Sequence, residues 1–554
     1  MMSLKQKVKF AINQALEQLQ KQNFLNQELE IENLNFNVVQ PNVPENLNTN
    51  QIQYDFSTNV AFIVKQYALE KNPTIVAEKI AQILSQDNLF SQIDVARPGF
   101  LNIVLANNAF VQTIQQVISA NDGFAGNYIA GEKLNVEFVS ANPTGFLHVG
   151  HARGAAFGDS LVRVLRHAGY NVEAEYYVND AGNQINVLTN SIWVRYCELF
   201  NITHPMPEEC YRGNDIIWGA QQIKEQYGDF FIKLDEQKRE QLASIATKIM
   251  LDKIKEDLAH FNVSFDTFSS EKAIKNSGAI EQTLSDLKAK DATYQQDGAL
   301  FLKTEALGDD KDRVLVKSNG DYTYFLPDIA YHQIKFNKCH NLINIFGADH
   351  SGYIQRMKIA MQYLGFNPEN LNILTIQLVR LIKDGQEFKM SKRAGTSVTL
   401  ADLMDVSSTD AIRFMMLTRE INNKFDFDID FANSQDSKNP VFIVQYAHSR
   451  AVSLLERLTK DIINTNIQFT DKAKKVIIEL DNFDELIKTI ISTTKVNLMT
   501  QYLINLAKLF NSFYAETKLL NHEDQSTYAY LVQAVQIVLQ LGLKLIGVSA
   551  PKTM

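Results

Sequence analysis

Two imidazoles three residues apart, His148 and His151, stand in the string Asn142-Pro-Thr-Gly-Phe-Leu-His-Val-Gly-His, between a strand pattern and the first turn of a helix. There they share one helix face beside unpaired amide N–H groups and the positive end of the helix dipole, a setting for anionic phosphate oxygens. Gly150 between them has no Cβ and would let a flat purine approach the backbone. A metal pair, or two histidines facing solvent, is the other reading of this spacing. Far downstream, Phe388-Lys389-Met390-Ser391-Lys392-Arg393-Ala-Gly follows a strand and a Lys383-Asp-Gly-Gln turn. Two lysines flanking Met-Ser in a glycine-bounded loop can follow a moving triphosphate as point charges. A solvated charge cluster is the bland alternative.

The elements around these residues define a scaffold. From Leu134 a strand, a loop, a helix from about His148 to His167 and a strand Val172 to Val178 succeed one another, the unit of a doubly wound nucleotide-binding sheet of Rossmann type. Residues from about 190 to 300 are largely helical and charged and split this sheet. Alternation then resumes with strand Val314 to Lys317, a helix after Pro327, strand Leu342 to Phe346, a helix to Gly365 and strand Ile373 to Ile382. After about Asp402 only helical patterns appear. The first hundred residues mix helical spacing (Ala11, Ala15, Leu16, Leu19) with short strands. The fold expected is α/β: a small α/β domain at 1–118, a Rossmann-type catalytic domain at 119–400 with the helical insertion, and an all-α bundle at 401–554.

Composition narrows the function classes. With 554 residues, 45% hydrophobic and 21% charged, the chain reads as globular throughout and long enough for several cores. No run of about 18 uninterrupted apolar residues occurs, so no membrane span is expected. The basic N-terminus lacks an apolar h-region and reads as a cytoplasmic start. Cys197, Cys210 and Cys339 have no C-x-x-C spacing, so neither disulfides nor structural zinc is expected. A net charge of −9 argues against indiscriminate coating of nucleic acid, without excluding a local basic surface.

The paired motifs resemble the H-I-G-H and K-M-S-K signatures of class I aminoacyl-tRNA synthetases. The longer strings Val136-Glu-Phe-Val-Ser-Ala-Asn-Pro-Thr-Gly-Phe-Leu-His-Val-Gly-His-Ala-Arg-Gly and Tyr177-Val-Asn-Asp-Ala-Gly-Asn-Gln184 are closer still to the arginyl-tRNA synthetases, as are Gly347-Ala-Asp-His350 and Asn439-Pro-Val-Phe-Ile-Val-Gln-Tyr-Ala-His448. The resemblance implies that ATP with Mg2+ activates L-arginine and that the arginyl group passes to its tRNA. His148, His151, Lys389 and Lys392 would be catalytic, with Gly150, Met390 and Ser391 also at the ATP. Glu137 and Asp328 would bind the guanidinium, Tyr324 would lie along the side chain, and Ser140, Asn142 and His350 would stand near the α-amino end.

The same resemblance makes the last helices an anticodon-binding bundle and the first domain a contact to the tRNA elbow. Gln445, Tyr446, His448 and Arg450 are the candidate tRNA contacts, although core burial explains Tyr446 equally well. It further implies a cytoplasmic monomer whose activation step requires tRNA. Phe146 departs from the Pro common at that place, and Lys392 is present where many arginyl enzymes have lost it. The rival readings are a non-enzymatic RNA-binding protein of this fold, against which the intact motifs argue, and a class I synthetase for glutamate, glutamine, cysteine or lysine. The latter would lack the Glu137 and Asp328 pair in these surroundings.

Overall fold

The computed structural model describes residues 2–41, 53–347, 352–388, 398–436 and 438–554. His350, Lys389, Met390, Ser391 and Lys392 lie outside the described residues.

Helix Leu4–Lys21 opens the chain, its first amides capped by Ser3 and Gln6 in a reciprocal capping box. Its buried residues Leu4, Val8, Ala11, Ile12, Ala15 and Leu19 fall on one face and pack beside a four-stranded antiparallel sheet. Helix Asn107–Ala120 follows that sheet, so the boundary expected at 118 falls inside an element. Its Phe110 meets Phe469 edge-on at 6.2 Å.

At the centre lies a five-stranded, wholly parallel sheet in the order Leu371–Ile376, Asn341–Gly347, Lys133–Glu137, Asn171–Val178, Thr267–Ser270. The chain runs outward from Lys133–Glu137 to one side, then returns to its other side with Asn341–Gly347. Such a reversal opens a crevice at the carboxyl ends of those two strands, where ligands of doubly wound sheets bind. Glu137 and Gly347 end on that rim.

Four details differ from the sequence-based expectation. Strand Arg313–Val316 joins an antiparallel sheet with Ala299–Leu302 and Thr293–Gln296 instead of the parallel one. The stretch read as Ile373 to Ile382 is two strands, Leu371–Ile376 and Val379–Lys383, broken where the Gln377 amide donates to the Ile421 carbonyl. A strand, Phe425–Asp428, lies beyond Asp402 and pairs in parallel with Val379–Lys383; its Phe425 and Phe427 are buried, with Asp426 exposed between them. The insertion returns to the sheet through its edge strand, Thr267–Ser270. Before that, helices Asn183–Glu198, Asn214–Tyr227 and Glu236–His260 bury Leu188, Ile192, Tyr196, Ile223 and Met250 in a core of their own.

Helices Pro440–Leu455, Asp471–Thr493, Asn497–Glu516 and Gln525–Leu545 form the C-terminal bundle. Gln525–Leu545 is long and apolar enough to cross a membrane, but 72% of its most apolar window is buried inside the protein, as suits a core helix.

Three bodies of chain meet at one arginine. Arg413, fully buried, donates to the Ile546 carbonyl (3.0 Å), the Phe261 carbonyl (3.1 Å) and Asp159 Oδ2 (2.5 Å). It thereby ties the end of the bundle and the end of the insertion to helix Val149–His167. Gly547, at φ 67°, leaves room for it: a Cβ there would stand 2.3 Å from the guanidinium.

Candidate active site

Strand Lys133–Glu137 ends in a turn with Val139 at φ 68° and Ser140 at φ 42°. A β-branched residue in left-handed conformation costs on the order of 1–3 kcal/mol, so the surroundings must hold it. Three hydrogen bonds do so. The Tyr177 amide donates to Ser140 Oγ (3.1 Å), Ser140 Oγ donates to Glu137 Oε1 (3.1 Å), and the Tyr176 hydroxyl donates to the Ala141 carbonyl (2.8 Å). Ser140 is thus committed to the scaffold, whereas Asn142 is exposed.

Beyond the turn, the loop through Gly145 is closed by the insertion: a Cβ on Gly145 would stand 2.2 Å from Asp215 Oδ2, and Phe146 meets Trp218 edge-on at 5.3 Å. Phe146 therefore has an aromatic packing partner in the insertion.

His148 caps helix Val149–His167: its Nδ1 accepts from the Gly150 amide at 3.0 Å. That bond leaves the proton on Nε2, free to be donated outward. The ring folds back so closely that a Cβ on Gly150 would stand 2.7 Å from it, which is why glycine is required there. The two histidine rings lie 3.9 Å apart. Burial pushes the His148 pKa down, and burial with the His148 neighbour brings His151 to about 3. Both are neutral donors at physiological pH rather than cations, and His151 Nδ1 is buried without a partner.

The backbone also brings the second motif's surroundings here. The Val149 amide donates to the Val398 carbonyl (2.9 Å), the Leu400 amide donates to the Leu147 carbonyl (2.7 Å), and His148 bridges Thr399. The residues directly after the lysine motif are therefore stitched to the histidine motif. Behind them, Arg153, its pKa lowered by burial to about 10, donates to the Asn423 and Glu420 carbonyls at 2.7 Å each and fixes the helix against the turn that leads into Phe425–Asp428.

On the other side of the crevice, Tyr324 is 88% exposed, just ahead of helix Phe325–Lys338, and Asp328 lies in that helix's first turn. Asp328 accepts from the Tyr353 hydroxyl at 2.8 Å. Burial, then the nearby Glu137 and Glu271 carboxylates, push its pKa up to about 7 against the opposing pull of Tyr353 and Arg356. Three acids thus crowd one pocket, a setting that suits a cationic ligand, and Glu271 Oε1 is paired there with Lys275 Nζ at 2.5 Å. Glu271 was missed in the sequence; it follows the edge strand Thr267–Ser270, on the same rim as Glu137, and lies beside Tyr177. An acid directly after a strand is a signal that the helical reading of 190–300 concealed.

Glu137 already has a cationic partner within the protein. Its Oε2 accepts from Lys335 Nζ at 2.8 Å in an ion pair whose side chains are 4% and 2% exposed. Lys335 also donates to Asn344 Oδ1 (2.8 Å), whose amide group lies 2.7 Å from His332 Nε2, and His332 Nδ1 lies 2.7 Å from the Asp328 carbonyl. His332, fully enclosed, is held neutral by burial, with its pKa down to about 3. None of these three partners was singled out in the sequence.

The tRNA candidates divide. Tyr446 is 38% exposed and stacks on Phe442, while Arg450 lies over the rings of Tyr446 (4.6 Å) and Tyr514 (4.9 Å). Gln445 and His448 face inward instead. Gln445 donates to Asp410 Oδ2 (2.9 Å) and the Ser549 carbonyl (3.1 Å), and His448 bonds the Pro551 carbonyl (2.9 Å). They anchor residues 549–551.

Family comparison agrees with this arrangement along the chain. The family described as tRNA synthetases class I (R), catalytic domain, matches residues 113–447, the DALR anticodon binding domain matches 444–554, and the arginyl tRNA synthetase N terminal domain matches 6–105. The arginine–tRNA ligase of Anoxybacillus flavithermus is 42% identical over 512 residues, covering 90% of this chain and 92% of that protein. That of Mycoplasma mobile is 42% identical over 506 residues, covering 90% and 93%. The Thermus thermophilus arginyl-tRNA synthetase structure shares the fold with a TM-score of 0.74 at 20% identity, over 99% of this chain and all of that one. A parallel sheet carrying the histidine cap, an acidic crevice beside it and three consecutive domain matches have one common explanation: the chain belongs to the arginyl-tRNA synthetases of class I.

Proposed function

We propose that this chain activates L-arginine with MgATP to arginyl-adenylate and pyrophosphate, then esterifies the arginyl group to the 3′ end of its tRNA. The observation that carries the reading is the crevice itself: on one rim stand neutral histidine donors at a helix N-terminus, and on the other the crowded carboxyls of Asp328 and Glu271.

The guanidinium is met by Asp328 with Glu271, Tyr324 lies along the aliphatic part, and Asn142 and His350 serve the α-amino end. Glu137 and Ser140 support this pocket from behind. A substrate carboxylate oxygen attacks the α-phosphorus and pyrophosphate leaves. His148 Nε2–H and His151 donate to the phosphate oxygens as charge develops, the kind of contact that is worth most in the transition state. Lys389 and Lys392, in the motif with Met390 and Ser391, follow the departing phosphates, and Gly150 keeps the histidine cap closed. The tRNA terminal hydroxyl then attacks the activated carbonyl and AMP leaves. Tyr446 and Arg450 offer a stacking platform for an unpaired base. The enzyme is read as a cytoplasmic monomer, which sedimentation of the purified protein checks.

The deciding experiment is ATP–pyrophosphate exchange with each amino acid, with and without tRNA. Exchange restricted to arginine, and strongest with tRNA, is expected; exchange with another amino acid, or none, overturns the reading.

A further inference from the structure

The polar network behind the pocket has a charge arrangement that arginine recognition alone does not demand. Glu137 and Lys335 form a buried pair at 2.8 Å, and Lys335 is the basic member of a chain that runs through Asn344 and His332 to the carbonyl of Asp328. Glu137 sits near enough to Asp328 to act on its carboxyl. On its other side Glu137 holds Ser140, and through it the strained turn beside Tyr177. One ammonium therefore touches both walls of the crevice without facing it.

We propose that Lys335 is a positioning residue that sets the charge of the arginine pocket, a built-in cation that cancels Glu137 as Lys275 cancels Glu271 (2.5 Å), so that the substrate meets Asp328 as the one carboxylate without a cationic partner of its own. The proposal rests on the arginine-ligase reading above. Without Lys335, Glu137 would add a second unmatched carboxylate beside Asp328, a surplus buried negative charge that the site could relieve only by protonating an acid that should bind substrate. With Glu137 and Glu271 each matched by a lysine, the guanidinium and Asp328 balance one another when the pocket is filled. The pair spans 198 positions of sequence, so it also fixes helix Phe325–Lys338 against strand Lys133–Glu137 at one register.

Three variants separate charge from structure: Lys335→Gln, Glu137→Gln and the two together. Pyrophosphate exchange with tRNA gives KM for arginine and kcat, and thermal melting reports folding. Each single change leaves one unmatched buried charge beside the pocket, so each is expected to raise the arginine KM about tenfold or more with kcat changed much less. The double variant removes both charges and is expected to return KM to within about threefold of the unmodified enzyme, whatever stability it loses. If Lys335→Gln does not fold, Glu137→Gln and the double variant carry the comparison. A double variant as poor as Glu137→Gln alone overturns the proposal, because Glu137 would then touch arginine itself. Single variants with unchanged KM overturn it too, leaving the network only a structural role. Failure of the arginine-ligase reading is distinct: the unmodified enzyme would then show no arginine-dependent exchange.

Discussion

Lowering the pH from 8 to 6 should weaken arginine binding through one carboxyl. In the free enzyme Asp328 titrates at about 7, chiefly because it is buried and secondarily because Glu137 and Glu271 lie near. Tyr353 and Arg356 oppose that rise, and Tyr177 faces the same cluster. Guanidinium binds the carboxylate, so binding is fullest above the raised pKa and is lost as pH falls through it. Simple titration leaves about nine-tenths of the group ionised at pH 8 and about one-tenth at pH 6, so the apparent KM for arginine should rise about tenfold. At pH 7 binding should expel about half a proton per arginine. Calorimetry in buffers of different ionisation enthalpy measures that proton directly, and pyrophosphate exchange with saturating tRNA and ATP follows KM. Asp328→Asn should abolish the pH dependence and impair recognition by about four orders of magnitude, since the remaining groups lose their partner. A KM flat from pH 6 to 8 with no proton released would refute the reasoning: the acid would then be ionised before arginine arrives, or not in its path.

Other perturbations test other contacts. His151→Ala should lower the activation rate about a hundredfold at saturating substrates with the melting temperature retained, as loss of one preorganised donor does. Tyr446→Ala should raise the KM for tRNA about tenfold, on the scale of one lost stacking contact, with the arginine KM unchanged when tRNA saturates. Arg413→Ala should cost about 3–5 kcal/mol in urea unfolding, because the buried Asp159 loses one of its two arginines, keeping only Arg163, and the Ile546 and Phe261 carbonyls lose their donor.

The phosphate side of the crevice was legible because its parts are contiguous: capping histidine, glycine and second histidine occupy four consecutive positions, and the helix that follows has an unmistakable period. The arginine side came from resemblance alone, which pointed at Glu137, Ser140, Asn142, Tyr324, Asp328 and His350 and at neither Glu271 nor Lys335. Lys335 looked like an ordinary last-turn cation on its helix, a place where lysine needs no partner. Its partner is 198 residues away, and no local pattern carries such a pairing. Glu271 was hidden because the edge strand before it has four residues, embedded among helices. Phe425–Asp428 escaped for the same reason, since four residues of alternation cannot outweigh long helical stretches on either side. Within Pro440–Leu455, composition could not fix which face meets solvent. Tyr446 and Arg450, four apart, share the outer face, while Gln445 and His448, three apart, share the inner one.

The arginine at the junction of three bodies has a consequence for how the protein is made. Every residue of the described candidate site leaves the ribosome before Ile546, Gly547, Ser549 and Pro551 are translated. Until those residues emerge, Arg413 lacks its Ile546 acceptor, and Gln445 and His448 lack the carbonyls that hold them. A nascent or prematurely ended chain can therefore carry the whole crevice in its sequence while Arg413 has its Asp159 and Phe261 partners without the Ile546 carbonyl. A fragment that stops short of residues 546–551 would hold the site with fewer ties than the chain that includes them.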